Sequence, residues 1–181
     1  MLMRLFSHTG LLFGCLISAF LLQSCQKETV SRSLESQLQL MDSYIATKKL
    51  KDSVKVEVDY RYYRFVKGSG VKIEAGDKVT LSYVLTSIES STNARVYATN
   101  IKSVAALNGL KEVADYVPIT VVVGSSGLFK GFDTGLRYLY EGDNAFIMFP
   151  SIYGYGSSSM GTIPPDTPLG VRVYIHKVEK K

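Results

Sequence analysis

The chain has 181 residues, with 21 lysines and arginines against 16 aspartates and glutamates, a formal net charge of +5 and a mean hydropathy of +0.09. That length holds one ordinary domain rather than two. The mild charge, with no dense basic stripe interleaved with aromatics, excludes a nucleic-acid footprint; two histidines and two cysteines nearly exclude a histidine-based triad or a zinc site of the usual nitrogen and sulfur type.

In chain order, Arg4 precedes an apolar run from Leu11 to Leu22, long enough for a secretory signal and short for a membrane span. Leu22, Gln23, Ser24 and Cys25 follow, a tetrapeptide that resembles the lipobox of bacterial lipoproteins. The resemblance implies cleavage before Cys25, so that residues 1–24 are a lipoprotein signal peptide. It also implies a diacylglycerol thioether on the new N-terminus and attachment to a membrane of the bacterial cell envelope, either periplasm-facing or at the outer membrane. An ordinary signal peptide with a chance cysteine is the alternative. Cys15 would leave with the leader, so the mature chain would hold no disulfide and a single histidine, His176.

Residues 26–33 are polar and read as a tether. Leu34, Leu38, Met41 and Ile45 then recur at helical spacing, predicting an amphipathic helix from Ser33, its N-cap, to Leu50, with Lys48 and Lys49 near its C-terminal dipole; tether and helix together occupy 25–52. The domain proper is expected over 53–181. Val54, Val56, Val58, Tyr60 and Tyr62 alternate with polar residues and predict one half-buried strand, stopped by Lys67-Gly68-Ser69-Gly70. Further strands are predicted at Val79 to Leu85, at Val96 and Tyr97, at Ile119 to Val123, at Ala145 to Phe149 and at Val171 to Ile175. The Ala145 segment is apolar on both faces and therefore central. Val104, Leu107, Leu110, Val113 and Val117 predict a short helix within 98–117; Phe132, Leu136 and Leu139 predict another, ending at Gly142. The fold class is α+β: an antiparallel sheet with one helix packed across it.

No phosphate-binding GxxxxGK loop and no GxGxxG after a strand is present. Asp133, Asp143 and Asp166 sit beside Gly, Thr or Pro and read as cap or turn residues. No cofactor and no metal is expected, and the chemistry must come from groups that do not titrate.

Two stretches resemble the FKBP-type peptidyl-prolyl isomerase family. One is Val123-Gly124, Leu128-Phe129-Lys130-Gly131-Phe132, Gly135-Leu136 and Gly142; the other is Pro150, Tyr153-Gly154-Tyr155-Gly156, Gly161, Ile163-Pro164-Pro165 and Leu169. Gly76-Asp77-Lys78-Val79 and Tyr83 look like its opening strands, and the likeness spans roughly residues 60 to 179. It implies a twisted antiparallel sheet wrapped around a short helix, here with an extra N-terminal helix and a helical insertion at about 98–117. It also implies a pocket for proline. Tyr155, Phe132 and Tyr83 would act on the substrate, Phe132 standing where the family usually has tryptophan. Tyr97, Ile119, Leu128, Phe129, Ile163 and Val171 would bind it. The Tyr155 hydroxyl and the Phe129 N–H would each hydrogen-bond a substrate carbonyl.

The implied activity is peptidyl-prolyl cis-trans isomerisation of proline-containing segments of exported proteins. The family commonly has an aspartate after the aromatic matched by Tyr97; this chain has Ala98, followed by a loop longer by about a dozen residues, in which Asp115 is a candidate substitute. A second reading is a peptide-binding module of the same fold in which catalysis is weak or lost. A purely structural envelope lipoprotein is a third.

Overall fold

The computed structural model describes residues 25–50, 53–88, 94–111 and 115–181, with the backbone alone for 25–33. The leader and Val113 lie outside the described residues. Helix α1 runs Cys25–Thr47 and is followed by β1 (Lys55–Glu57), β2 (Tyr60–Val66), β3 (Lys78–Ser87), β4 (Val96–Thr99), α2 (Lys102–Leu107), β5 (Ile119–Val122), α3 (Lys130–Leu136), β6 (Asn144–Phe149), a 3₁₀ turn (Ser151–Tyr153) and β7 (Leu169–Glu179). The strands form one antiparallel sheet in the order β1-β2-β6-β7-β3, with the outer edge of β3 shared between β4 and β5.

The alternation along β3, β6 and β7 places Val79, Leu81, Leu85, Ala145, Ile147, Phe149, Val171, Val173 and Ile175 on one face, where they pack with Phe132, Leu136 and Leu139 of the α3 segment. Each of these side chains larger than alanine contributes roughly 1.5–3 kcal/mol when taken out of water. On the other face, Phe146 and Met148 meet Met41 and Ile45 of α1. Strand β6 is covered by a helix on both faces, which is why its sequence does not alternate.

Three expectations are corrected. The helix begins at Cys25, so it includes the segment read as a tether; Ser33 is interior rather than an N-cap, and Lys48 and Lys49 follow the last helical residue. The run Val54 to Tyr62 is a hairpin, not one strand: Glu57 pairs with Tyr60, Val58 adopts a left-handed φ of 49°, and Val56 and Val58 face solvent. Helix α3 ends at Leu136, and Gly142, with φ 84°, belongs to the separate turn before β6. In that turn Asp143 accepts hydrogen bonds from Arg64 Nε, the Gly68 N–H and the Tyr140 N–H, at 3.0, 2.7 and 2.8 Å. Its role is structural, as a turn aspartate.

Candidate functional site

Glycine is a poor helix former, yet α3 carries two glycines four residues apart. A Cβ on Gly131 would stand 2.3 Å from the Phe149 ring, and one on Gly135 would stand 2.5 Å from Ile147 Cγ2. Their absence lets α3 lie directly on β6 and sets Phe132, 2 % exposed, at a fixed depth against Tyr83, with ring centroids 5.8 Å apart. Asp133 then ties the preceding loop to the helix. Its carboxylate accepts the Gly124 N–H at 2.9 and 3.0 Å and the Ser126 hydroxyl at 2.7 Å, and Ser126 Oγ accepts the Leu128 N–H at 3.2 Å. Leu128 and Phe129 are held in place through that loop. As its neighbours in sequence suggested, Asp133 organises backbone rather than doing acid-base chemistry.

Tyr83 is held from the opposite side. It lies where the edge of β3 changes partner from β4 to β5, a gap that would leave backbone groups unpaired. Asn100 fills it: its Oδ1 accepts the Tyr83 N–H at 2.7 Å, while its Nδ2 donates to the Leu81 and Val117 carbonyls at 3.2 and 2.9 Å. Thr99 Oγ1 donates to the Tyr83 carbonyl at 2.6 Å. The same asparagine thereby closes the neck of the insertion.

These elements enclose a cavity of about 360 Å³ lined by Tyr83, Leu85, Ala98, Gly127, Leu128, Phe129, Phe132 and Tyr155. Phe129 stands 5.8 Å from Phe132 and 5.5 Å from Tyr155, so the aromatic rings form a continuous wall. Burial pushes the Tyr83 phenol above its ordinary pKa, with the Tyr155 phenol beside it acting in the same direction, and it stays neutral. Among the described residues, no hydrogen bond engages the Tyr155 hydroxyl or the Phe129 N–H. Both are donors available to a bound carbonyl.

Of the nine pocket residues read from the sequence, Tyr83, Leu128, Phe129, Phe132 and Tyr155 meet here. Val171 does not: it is fully buried between strands and has no surface to offer a ligand. Ile163, 6 % exposed, likewise belongs to the core, and Ile119 packs on that core opposite Leu81 without lining the cavity. Tyr97 lines a second, adjoining cavity of about 270 Å³ together with Tyr83, Ala98, Thr99, Ala105, Leu110, Lys111 and Tyr116. Asp115 is exposed and lines neither cavity, so it does not supply a carboxylate in place of Ala98. Leu85 was missed, although its place two residues beyond Tyr83 on a strand puts it on the same face. Gly127 and Asn100 carried no comparable signal.

The profile of the FKBP-type peptidyl-prolyl cis-trans isomerase family matches residues 69–176. FK506-binding protein 4 of Chaetomium thermophilum is 30% identical over 102 residues, which are 56% of this chain and 18% of that protein. An FK506-binding protein of Neisseria meningitidis serogroup B is 36% identical over 62 residues, 34% of this chain and 57% of that one. The chain thus spans less than two thirds of either relative. Among solved structures, a peptidyl-prolyl cis-trans isomerase from Pseudomonas syringae superposes with a TM-score of 0.58 at 20% identity, covering 81% of this chain and 96% of that one. FkpA from Escherichia coli gives 0.53 at 18%, covering 92% and 71%. The matched segment contains both halves of the aromatic cavity, and the chain belongs to the FKBP-type peptidyl-prolyl cis-trans isomerase family.

Proposed function

We propose that the chain is a peptidyl-prolyl cis-trans isomerase acting on proline-containing segments of exported proteins at a membrane surface. The observation that carries this is the aromatic cavity, with Phe132 as its floor and two unengaged donors, Tyr155 Oη and Phe129 N–H, at its wall. A prolyl bond turns slowly because amide resonance sets a barrier of about 18–20 kcal/mol, and the twisted amide has lost that resonance. A pocket that binds the twisted form better than either planar form lowers the barrier without a covalent step. The proline ring rests on Phe132, the apolar wall suits the less polar twisted amide, and the two donors hold the flanking carbonyls. Ala98 offers a methyl group where the family commonly has a carboxylate, so the work falls on the rings and those donors. A protease-coupled assay over a panel of X-Pro peptides tests the reading. Ala98 also favours the second reading, a peptide-binding module, which predicts binding in that panel without acceleration.

Attachment through Cys25 is supported by the lipobox-like Leu22-Gln23-Ser24-Cys25. Helix α1 starts at that residue and packs on the sheet through Met41 and Ile45, so a helix rather than a coil leads from the lipid to the sheet. Cys25→Ala is expected to move the protein from the membrane to the soluble fraction; unchanged membrane association on fractionation would rule out the anchor.

The insertion is a side wall that sets which residues are accepted next to proline. Its inward residue is Ala105, which is buried; Leu107, one of the apolar residues whose spacing predicted the helix, is two residues further around it and is 86 % exposed. Ala105, Leu110, Lys111 and Tyr116 form the outer wall of the second cavity, which shares Tyr83 and Ala98 with the first. Replacing residues 101–116 by a short Gly-Ser link, with Asn100 and Val117 kept, is expected to change the ranking of X-Pro peptides while the sheet stays folded. A folded variant with an unaltered ranking would assign the insertion no part in the site.

A further inference from the structure

The loop that carries Tyr155 is held by a residue from the far end of the chain. Gln37 lies on the apolar face of α1 between Leu34 and Met41, and is 7 % exposed. Its Oε1 accepts the Ser151 N–H at 2.7 Å and its Nε2 donates to Ser151 Oγ at 3.1 Å, 114 residues away in sequence. Ser151, itself buried, turns its carbonyl the other way, where it accepts the N–H groups of Gly154 and Gly156, each at 2.8 Å. Those two glycines flank Tyr155. One serine is thus gripped by α1 through its N–H and hydroxyl, and it grips both sides of Tyr155 through its carbonyl. The Gly156 carbonyl accepts the Asp166 N–H at 2.8 Å, closing the loop beyond.

We propose that Gln37 is a positioning residue for the pocket, fixing through Ser151 where the Tyr155 hydroxyl stands over the Phe132 floor. Its importance for catalysis rests on reading that cavity as the prolyl site; its control of the loop does not. An apolar residue would satisfy the packing of α1 on the sheet as well as glutamine does. A buried amide is tolerated in such a stripe only when its donor and acceptor are both used, as they are here. The N-terminal helix is therefore part of the construction of the pocket, although none of its described side chains lines it.

The test compares Gln37→Leu, Gln37→Glu, Ser151→Ala and, on the same helix, Met41→Ala, using the whole chain. Met41 is fully buried against Phe146 and Met148. Two readouts are taken: steady-state isomerisation, and the NMR signals of a ¹³C-labelled Tyr155 ring with those of the Gly154 and Gly156 amides. Gln37→Leu is expected to shift and broaden those signals and to lower kcat about tenfold, a loss of roughly 1.4 kcal/mol, with KM little changed. Gln37→Glu, whose carboxylate can accept from both the N–H and the hydroxyl of Ser151, is expected to restore most of the rate. Ser151→Ala keeps one of the two bonds and should fall between them; it also decides the matter if Gln37→Leu fails to fold. Met41→Ala should lower the melting temperature while leaving the Tyr155 signals and kcat in place. Unmoved Tyr155, Gly154 and Gly156 signals in Gln37→Leu and Ser151→Ala would overturn the proposal, and so would a loss of kcat in Met41→Ala equal to that in Gln37→Leu. An inactive wild type would refute the prolyl reading instead, and the NMR signals would still decide whether Gln37 governs the loop.

Discussion

Phe132→Ala is expected to lose isomerisation and peptide binding together and to lose about 3–5 kcal/mol of stability. Phe132 has two roles that cannot be separated in this variant. It is almost fully buried in the main cluster with Leu136, Leu81 and Phe149, and its ring also forms the floor of the cavity between Tyr83 and Phe129. Truncation merges the cavity with the space left by the ring. Gly131 and Gly135 pin α3 to Phe149 and Ile147 through backbone contact, so the helix has no closer position to which it can move. Phe132→Leu separates the roles: most of the stability should return with the volume, but the flat aromatic floor should not. Denaturant unfolding and peptide titration on the two variants make the check. Recovery of full activity in Phe132→Leu would show that an aromatic floor is not needed.

Tyr155→Phe is expected to lower kcat/KM by about tenfold, the value of one hydrogen bond formed mainly in the transition state, with the melting temperature almost unmoved. The separation follows from its contacts. The ring packs on Phe129 at 5.5 Å and is kept in the variant, whereas no hydrogen bond within the described residues depends on the hydroxyl. A structural residue would behave in the opposite way. Kinetics and a melting curve on the same preparation suffice, and an unchanged kcat/KM would remove the hydroxyl from the mechanism.

Much of the sheet was legible because burial on one face imposes a period of two. Val79, Leu81 and Leu85, or Val171, Val173 and Ile175, could hardly be read otherwise. The hairpin at Val58 and Asp59 was not legible: the alternation runs unbroken across it, and a β-branched residue with φ 49° is the least expected occupant of a left-handed turn. The start of α1 was hidden because its first turns are polar and no apolar stripe announces them. In the site, nine residues were found by resemblance, and five of them, four aromatic rings and Leu128, converge on the cavity. Val171 and Ile163 were taken for lining because pocket and core share one apolar face, and sequence does not say how deep a side chain lies. Asn100 and Gln37 escaped notice for a different reason. Each is a single polar residue whose meaning lies in partners brought to it by the fold, Ser151 in the case of Gln37 being 114 positions away.

The central claim is that this cavity accelerates rotation about a prolyl bond, and the most direct measurement is NMR exchange between the cis and trans signals of short X-Pro peptides with and without the protein. Uncatalysed exchange takes tens to hundreds of seconds at 25 °C. The account predicts exchange cross-peaks on a sub-second timescale with catalytic amounts of the whole chain, and their loss in Phe132→Ala. Peptides that bind the folded protein and shift the signals of Phe129 and Tyr155, while their cis and trans forms interconvert no faster than in buffer, would contradict it.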